Sequence, residues 1–391
     1  MKNKLLLESF NIGIKPSKND ALCIKIPDNA TTALVSTKNK YAAAPVILNK
    51  INISKHNPKY LLINSGNANA CTGKIGMRNA IECTMMLAKK FSCQKEEVLM
   101  FSTGIIGRQL PMKTVSKKIT NHIFKFDSSW IAASKSIMTT DSFNKYLSKT
   151  ITLGKKRISI KGICKGAGMI EPNMATMLSF ISLDLHLNKP LLLRILKKAV
   201  DNSFNCISVD GDMSTNDSVA IIATGENKDL NLKDKPKMLS KLENELIQFC
   251  QSLAKMIIKD GEGATKTITI SIHQASKQSD AKKICYAIAN SNLFKTAMFG
   301  SDPNWGRIIA KLGALDNINY DTSKVILKIN QILVFEKGIP AKNCNLKALN
   351  SSMKQKEIVI DLYLKNGKAM HSIMTSDLTK KYIHINSAYT T

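Results

Sequence analysis

Short apolar runs separated by turn residues predict strands in the first third of the chain. These strands are predicted at 21–26, 32–36, 61–64 and 98–102, with asparagine, aspartate and proline residues between them. Residues 75–90 instead repeat apolar positions at helical spacing, which places Ile81, Met85 and Ala88 on one face. The pattern therefore predicts strands interrupted by an amphipathic helix.

The second half of the chain contains the longest predicted helix, at 238–259. Five apolar residues form one stripe along it, namely Leu242, Leu246, Phe249, Leu253 and Ile257. Residues 267–273 follow with an isoleucine at every second position, which is typical of a strand with one buried face. Further strands are predicted at 151–161 (with a turn at Gly154), 325–329 and 358–364, and further helices at 190–202 and 281–290. Short strands mixed with few long helices indicate a layered α+β architecture rather than a regular parallel α/β repeat.

Length and composition place the chain among globular proteins. Its 391 residues, 44% of them hydrophobic, suffice for one large core or two moderate ones. No apolar run approaches the roughly 20 residues that cross a bilayer, and the first residues do not resemble a secretory signal. The glycine-rich turn of dinucleotide-binding folds is also missing. Because both a membrane-spanning run and a secretory signal are missing, we expect a cytoplasmic protein that does not bind a membrane.

The nine cysteines and six histidines follow no metal-binding pattern. The cysteines are scattered singly, with no Cys-x-x-Cys pair, which favours reduced thiols over disulfides or a zinc site. The histidines are never four residues apart and do not cluster with cysteines. The sequence therefore predicts no metal ion and no cofactor.

The formal net charge of +28 is the unusual bulk property, and it raises the possibility of a nucleic-acid partner. The lysines are spread along the whole chain, however, and aromatic residues, which would stack on bases, make up only 6%. The charge therefore indicates compositional bias. A basic nucleic-acid-binding protein remains the less favoured alternative.

The segment 165–178 places Thr176 after a small residue, in a turn rich in glycine, proline and asparagine that leads into an apolar run. A threonine hydroxyl is a poor nucleophile because it keeps its proton at neutral pH. Cleavage between Ala175 and Thr176 would give Thr176 a free α-amino group, which titrates near neutral pH and can act as the base. The alternative is a structural threonine before a buried strand, and the segment by itself favours that alternative.

Four other polar loops carry candidate chemistry, each with a structural alternative. Thr103 and Gly104 follow a strand and could form an oxyanion hole or simply a turn. The hydroxyls at 138–141 could contact a substrate or cap a helix. The acidic run 210–217 lacks calcium-loop spacing and is interpreted as a solvated turn. Glu262, at the end of the long helix, is either solvated or binds an ammonium group.

Eight blocks of the sequence resemble, in the same order, the motifs of the arginine-biosynthesis ornithine acetyltransferases, also called glutamate N-acetyltransferases. The blocks are 64–73, 102–107, 138–141, 165–178, 210–217, 260–266, 301–307 and 386–391. The resemblance extends from about residue 10 to the last residue. It reverses the preference for a purely structural Thr176.

The resemblance implies an α+β fold, a layered α/β sandwich of the self-cleaving N-terminal-nucleophile type that is related to an aminopeptidase fold. It implies self-cleavage between Ala175 and Thr176, which gives an α chain of 1–175 and a β chain of 176–391. The two chains would stay intertwined and assemble as an α2β2 heterotetramer.

The resemblance also implies a reaction. Thr176 would take the acetyl group of N2-acetylornithine as an ester and pass it to glutamate in a ping-pong cycle, and some members also accept acetyl-CoA. Thr103 and Gly104 would form the oxyanion hole. The implied substrate contacts are Thr139 or Thr140, Lys165, Thr176, Glu262, Asn386 and Thr391.

The charges of two implied contacts suit an amino-acid substrate, since Lys165 can pair with a carboxylate and Glu262 with an ammonium group. The blocks depart from the family pattern only mildly: Ser142 stands where threonine is expected, and it keeps the hydroxyl. The alternative enzyme is an aminopeptidase or amidase of the related fold, which would pass the acyl group to water.

Overall fold

The computed structural model of the protein describes residues 4–171, 177–227, 230, 232 and 234–388. The chain divides into two compact units. Among the described residues, unit 1 lies within 4–205 and 213–257, and unit 2 within 206–212 and 258–388.

The strands are β1 Leu6–Phe10, β2 Ala21–Lys25, β3 Thr31–Ser36, β4 Tyr60–Asn67, β5 Val98–Ile105, β6 Lys145–Leu153, β7 Lys156–Lys165, β8 Leu178–Leu185, β9 Ile207–Ser208, β10 Ser218–Asn227, β11 Thr267–Ala275, β12 Ile326–Ile329, β13 Ile332–Glu336, β14 Ile339–Pro340, β15 Glu357–Tyr363 and β16 Ala369–Ser376. The α-helices are α1 Ala44–Lys55, α2 Gly73–Phe91, α3 Met112–Asn121, α4 Trp130–Ser136, α5 Lys189–Asp201, α6 Pro236–Lys259, α7 Gln278–Ala289, α8 Asn292–Phe299, α9 Trp305–Gly313, α10 Leu346–Ser352 and α11 Lys380–Ala388.

Unit 1 contains two sheets that pack face to face. Their strand orders are β1-β2-β4-β5 and β3-β10-β8-β7-β6. Alternate residues of both sheets meet in one core, where the rings of Phe101 and Phe180 contact edge to face at 5.0 Å between centroids. Two packed sheets share their inner faces in this way because each strand offers every second side chain to the core.

Helices cover the outer faces of both sheets. The other side of β2, β4 and β5 packs against α2 and α3, so these strands are buried on both faces and have nearly continuous apolar sequences. On the second sheet, Gly162 of β7 leaves room for Phe249 of α6, because a Cβ there would lie 2.8 Å from the ring. The resulting helix–sheet–sheet–helix arrangement confirms the predicted α+β sandwich.

Unit 2 is built on one sheet with the strand order β14-β13-β12-β15-β11-β16-β9. Its apolar face packs against α7, α8, α9 and α10. Ile268, Ile270 and Ile272 of β11 all point into this core, as predicted from their alternation. Val359 on the opposite face is exposed, which explains the clear two-residue period of these strands.

Two features of the helices differ from the sequence prediction. Helix α1 was not predicted, because it buries the polar residues Asn49 and Asn52 and leaves Ile47 and Ile51 exposed. The asparagine amides donate to backbone carbonyls of β5, and this replaces the apolar stripe that a sequence pattern requires. In α2, Ala88 of the predicted apolar face is buried, but Met85 of the same face is exposed, and the other buried apolar side chains are Ala80, Cys83 and Leu87.

Within the described residues, no helix is both long and apolar enough to cross a membrane. No disulfide joins any of the nine cysteines, all of which are described.

Candidate functional site

Ala175, Thr176 and Thr391 lie outside the described residues. The described chain on either side of Thr176 forms two neighbouring strands, since β7 ends at Lys165 and β8 begins at Leu178. These two residues are paired in the antiparallel register. The segment that carries the expected nucleophile therefore connects adjacent strands of the second sheet.

Thr103 and Gly104 lie at the end of β5, beside the parallel strand β4. Gly104 has a φ of +131°, and a Cβ on it would lie 2.3 Å from the carbonyl carbon of Gly66. Only glycine allows the two strands to approach so closely. The parallel register places Ser65 opposite Thr103, and both side chains are buried.

Lys165 connects the second sheet to this strand end. Its ammonium group donates a hydrogen bond to the hydroxyl oxygen of Thr103, with 3.1 Å between Nζ and Oγ1. Because Thr103 accepts this bond, its own hydroxyl hydrogen can donate elsewhere. The structure thus brings Lys165, Thr103 and Gly104 together, and their arrangement can supply hydrogen-bond donors and positive charge to a developing oxyanion.

Asp141 lies at the centre of this cluster and was not among the predicted site residues. Its carboxylate accepts hydrogen bonds from the backbone N–H of Thr139 at 2.9 Å, from the N–H of Gly166 at 2.7 Å and from the Lys145 ammonium at 2.6 Å. Burial by itself would raise the pKa of Asp141. The charges of Lys165 and Lys145, together with these hydrogen bonds, outweigh it and hold the pKa at about 2. The carboxylate is therefore ionised and fixed in place.

Thr139 and Thr140 are half-buried in the turn that follows α4. The alternative that this block caps a helix is wrong, because the next element is the strand β6, which begins at Lys145. The Asp141 carboxylate instead accepts hydrogen bonds from the backbone N–H groups of Thr139, in the same turn, and of Gly166, directly after β7. The turn is thereby held beside Lys165.

Lys15 is a second residue of this cluster that the sequence analysis missed. Its ammonium group donates to the hydroxyl oxygen of Ser65 at 2.7 Å and to the carbonyl oxygen of Met138 at 2.7 Å. Burial, together with the nearby Lys165 charge, lowers the pKa of Lys15. No motif distinguishes Lys15 in the sequence, because surface lysines such as Lys18 stand close beside it.

The asparagine-rich blocks support the ends of β4 and β5. Asn216 donates from Nδ2 to the carbonyl oxygens of Ala68 at 2.6 Å and Ser102 at 2.9 Å. Asn64 accepts a hydrogen bond from Ser102 and donates to the carbonyl of Asn67. The interpretation of 210–217 as a solvated turn is wrong for its second half, since residues 215–217 are buried.

Glu262 and Asn386 lie together in unit 2. Asn386 donates from Nδ2 to Glu262 Oε2 at 2.8 Å. The Glu262 loop packs against the start of α11, where a Cβ on Gly263 would lie 2.6 Å from the backbone nitrogen of Tyr382. Burial and the charges of Asp210 and Glu262 raise the pKa of the Tyr382 hydroxyl. The negative charge here suits a cationic group.

Hydrogen bonds around Lys266 connect two family blocks in unit 2. Lys266, which is buried, donates to the carbonyls of Met298 and Met353 and to the hydroxyl of Ser301. Asp377 accepts from the backbone N–H groups of Thr265 and Lys266. These bonds connect the blocks 260–266 and 301–307.

Within the part of the chain that the structure describes, no group of three or more histidine, cysteine, aspartate or glutamate residues could hold a metal ion.

The sequence model of the ArgJ family matches residues 6–391. The chain belongs to the ArgJ family. The predicted class of enzyme, a glutamate N-acetyltransferase of arginine biosynthesis, is thereby confirmed.

Individual members of the ArgJ family agree with this assignment over nearly the whole chain. The arginine biosynthesis bifunctional protein ArgJ of Pseudomonas fluorescens is 36% identical, with 98% of this chain and 96% of the relative covered. The mitochondrial ArgJ of Dictyostelium discoideum is 40% identical, with 98% and 91% covered. A crystal structure of the Bacillus halodurans ArgJ protein is 32% identical with a TM-score of 0.51. It covers 55% of this chain and 100% of the crystallised chain.

Proposed function

We propose that the chain cleaves itself between Ala175 and Thr176, and that Thr176 then transfers acetyl groups from N2-acetylornithine to glutamate. The observation that carries the proposal is the hydrogen bond from Lys165 to Thr103, beside the tightly packed Gly104. It brings the oxyanion donors at the end of β5 next to the end of β7, the strand that precedes the cleavage segment.

The acetyl transfer takes place in two balanced steps. In the first, Thr176 Oγ bonds to the acetyl carbon, its proton passes to the α-amino group, and ornithine leaves with a proton on its nitrogen. In the second, the amine of glutamate attacks the ester and restores the threonine hydroxyl. Thr103 O–H and the Gly104 N–H donate to the oxyanion in both steps.

The polar groups of the substrates have suitable partners. Lys165 binds a carboxylate and Glu262, with Asn386, binds an ammonium group. Thr139 is the member of the threonine pair that we assign to the substrate, because Asp141 fixes its backbone beside Lys165. We also assign Thr391 the substrate contact that the resemblance to the family implies.

The strand order supports lasting association of the α chain 1–175 and the β chain 176–391. In the second sheet, β10 of the β chain pairs with β3 of the α chain, and β8 pairs with β7. We also propose that the chains assemble as an α2β2 heterotetramer in the cytoplasm. Acetyl-CoA is the second acetyl donor that we propose.

The proposal is tested by Thr176→Ala and Thr176→Ser, with Thr152→Ala on the exposed face of β6 as the matched control. On a denaturing gel, we expect two chains for the wild type and the control, with threonine as the new N-terminus. We expect one uncut, inactive chain for Thr176→Ala and partial cleavage and activity for Thr176→Ser.

The acetyl acceptor is tested by offering acetylornithine with and without glutamate, and then acetyl-CoA with glutamate. Acetylglutamate should form with either donor. Acetate release at a rate indifferent to glutamate would show a hydrolase instead, and an uncut wild-type chain with full transfer activity would overturn the cleavage step.

A further inference from the structure

Lys15 occupies a fixed position next to the proposed oxyanion site. The carboxylate of Asp20, fully buried, accepts hydrogen bonds from the backbone N–H groups of Ile12, Ile14 and Lys15 at 2.6–2.7 Å. Three such bonds hold the loop before β2 rigidly. The side chain of Lys15 therefore starts from a defined backbone position.

The ammonium group of Lys15 lies between two parts of the site. One partner is Ser65, which stands opposite Thr103 in the β4–β5 register. The other is the carbonyl of Met138, the residue before Thr139. Lys15 therefore reaches from the N-terminal loop to both the oxyanion strand and the threonine turn.

The charge of Lys15 is not neutralised by a direct partner. Both of its hydrogen-bond acceptors are neutral oxygen atoms, and they use two of its three N–H donors. Among the described residues, no carboxylate forms an ion pair with Lys15. The nearby carboxylate of Asp141 is already bonded to Lys145 and to the Gly166 N–H.

An anion beside Lys15 would relieve two unfavourable terms. Desolvation by burial and the repulsion from Lys165 disfavour the ammonium charge, and the carboxylates of Asp20 and Asp141 offset them only in part, since the pKa of Lys15 stays lowered. A carboxylate that accepts from the remaining N–H of Lys15 would offset both. N2-acetylornithine and glutamate share only one such group, the α-carboxylate, and a ping-pong enzyme binds both in turn.

We propose that Lys15 binds the α-carboxylate common to N2-acetylornithine and glutamate, and so selects substrates that carry this group. The inference rests on the proposed acetyl transfer. It assigns Lys15 a substrate contact in addition to Lys165, and it makes the N-terminal loop part of the binding site.

The test compares N2-acetylornithine with its α-carboxamide as acetyl donors for the wild type, Lys15→Met and Lys15→Arg. Lys18→Met, an exposed lysine of the same loop, is the matched control. We expect Lys15→Met to lower kcat/KM for acetylornithine by about ten- to a hundredfold, the effect of one charged hydrogen bond, mainly through KM. With the carboxamide as donor, kcat/KM of Lys15→Met should fall by less than about threefold, because the carboxamide carries no negative charge for Lys15 to bind.

Lys15→Arg should keep much of the preference for the acid, and Lys18→Met all of it. Equal losses on acid and amide would overturn the inference and show that Lys15 only supports the loop. An unchanged Lys15→Met enzyme would overturn it as well. Failure of the acetyl-transfer proposal is distinguishable, because the wild type itself would then not transfer acetyl from acetylornithine to glutamate.

Discussion

The carboxylate of Asp141 connects three parts of unit 1 that are separate in sequence. It receives bonds from the threonine turn, from the start of β6 and from the end of β7. Lys145, its ion-pair partner, is completely buried. A buried pair of this kind contributes little net stability by itself, but removing one partner leaves an uncompensated charge.

Asp141→Asn should therefore destabilise the protein by about 3–5 kcal/mol, because the buried ion pair between Asp141 and Lys145 is lost. Acetyl transfer should also fall, since Thr139 and Gly166 would no longer be fixed beside Lys165. Urea unfolding on the uncut Thr176→Ala background measures the first effect. Asp28→Asn, at an exposed position, should stay within about 0.5 kcal/mol of its parent.

The same substitution should change the acid dependence of stability. Asp141 has a pKa of about 2 when folded, below the roughly 3.9 of an unfolded aspartate, so its contribution is present above about pH 4. The contribution is lost as the pH falls toward 2. Asp141→Asn should show a shallower decline over this range, and parallel curves for the two proteins would contradict the assignment.

At the scale of single residues, the sequence predicted part of the candidate site. Thr103, Gly104 and Lys165 were predicted by resemblance, and the structure brings them together. Asp141 and Lys15 were not predicted, because their roles depend on partners from distant parts of the chain. No local spacing encodes such a partnership.

Among the elements, the close approach of β4 and β5 is the feature on which the proposed oxyanion site depends. A Cβ at Gly104 would overlap the backbone of Gly66 and the nitrogen of Asn67. Backbone atoms cannot rotate away as a flexible side chain can. The end of β5 would have to shift.

Gly104→Ala should thus cost roughly 2–6 kcal/mol, from the strained φ and the overlap combined, and should abolish acetyl transfer. Gly107→Ala is the matched control, with a φ of +79° and no atom within 4 Å of its Cβ. It should cost only about 1–2 kcal/mol, from the φ alone. Equal effects of the two substitutions in urea unfolding would show that the overlap does not matter.

Elements with a strong pattern were predicted well, and those without one were not. The stripe of α6 and the alternation of β11 follow directly from burial of one face. Helix α1 has no such stripe, because Asn49 and Asn52 are buried through hydrogen bonds to β5. Buried polar residues therefore set the limit of pattern-based prediction here.

For the molecule as a whole, the two compact units do not coincide with the expected α and β chains. Residues 177–205 and 213–257 belong to unit 1 although they follow Thr176 in sequence. Residues 206–212 contribute β9 to the sheet of unit 2. The sequence contains no composition change at these crossings, so the division could not be predicted.

The net charge of +28 should make the stability of the protein depend on salt. Repulsion among dispersed lysines destabilises the folded state, and salt screens it over a Debye length. The melting temperature should rise by a few degrees between about 20 mM and about 300 mM NaCl. An equal osmolality of a neutral solute is the control, and a lower melting temperature in salt would mean that favourable ion pairs dominate.

The strand order of the second sheet also constrains when the chain can be cut. Strands β3, β7 and β6 come from before Thr176, and β10 and β8 come from after it. In an uncut chain, β7 and β8 pair within one molecule, and the short connection between them gives a high effective concentration. Two pieces cut beforehand would have to meet in a second-order reaction, each with unpaired strand edges exposed. The cleavage that we propose, coming after folding, would keep assembly independent of protein concentration, and it would leave a mature enzyme whose recovery from denaturation depends on that concentration.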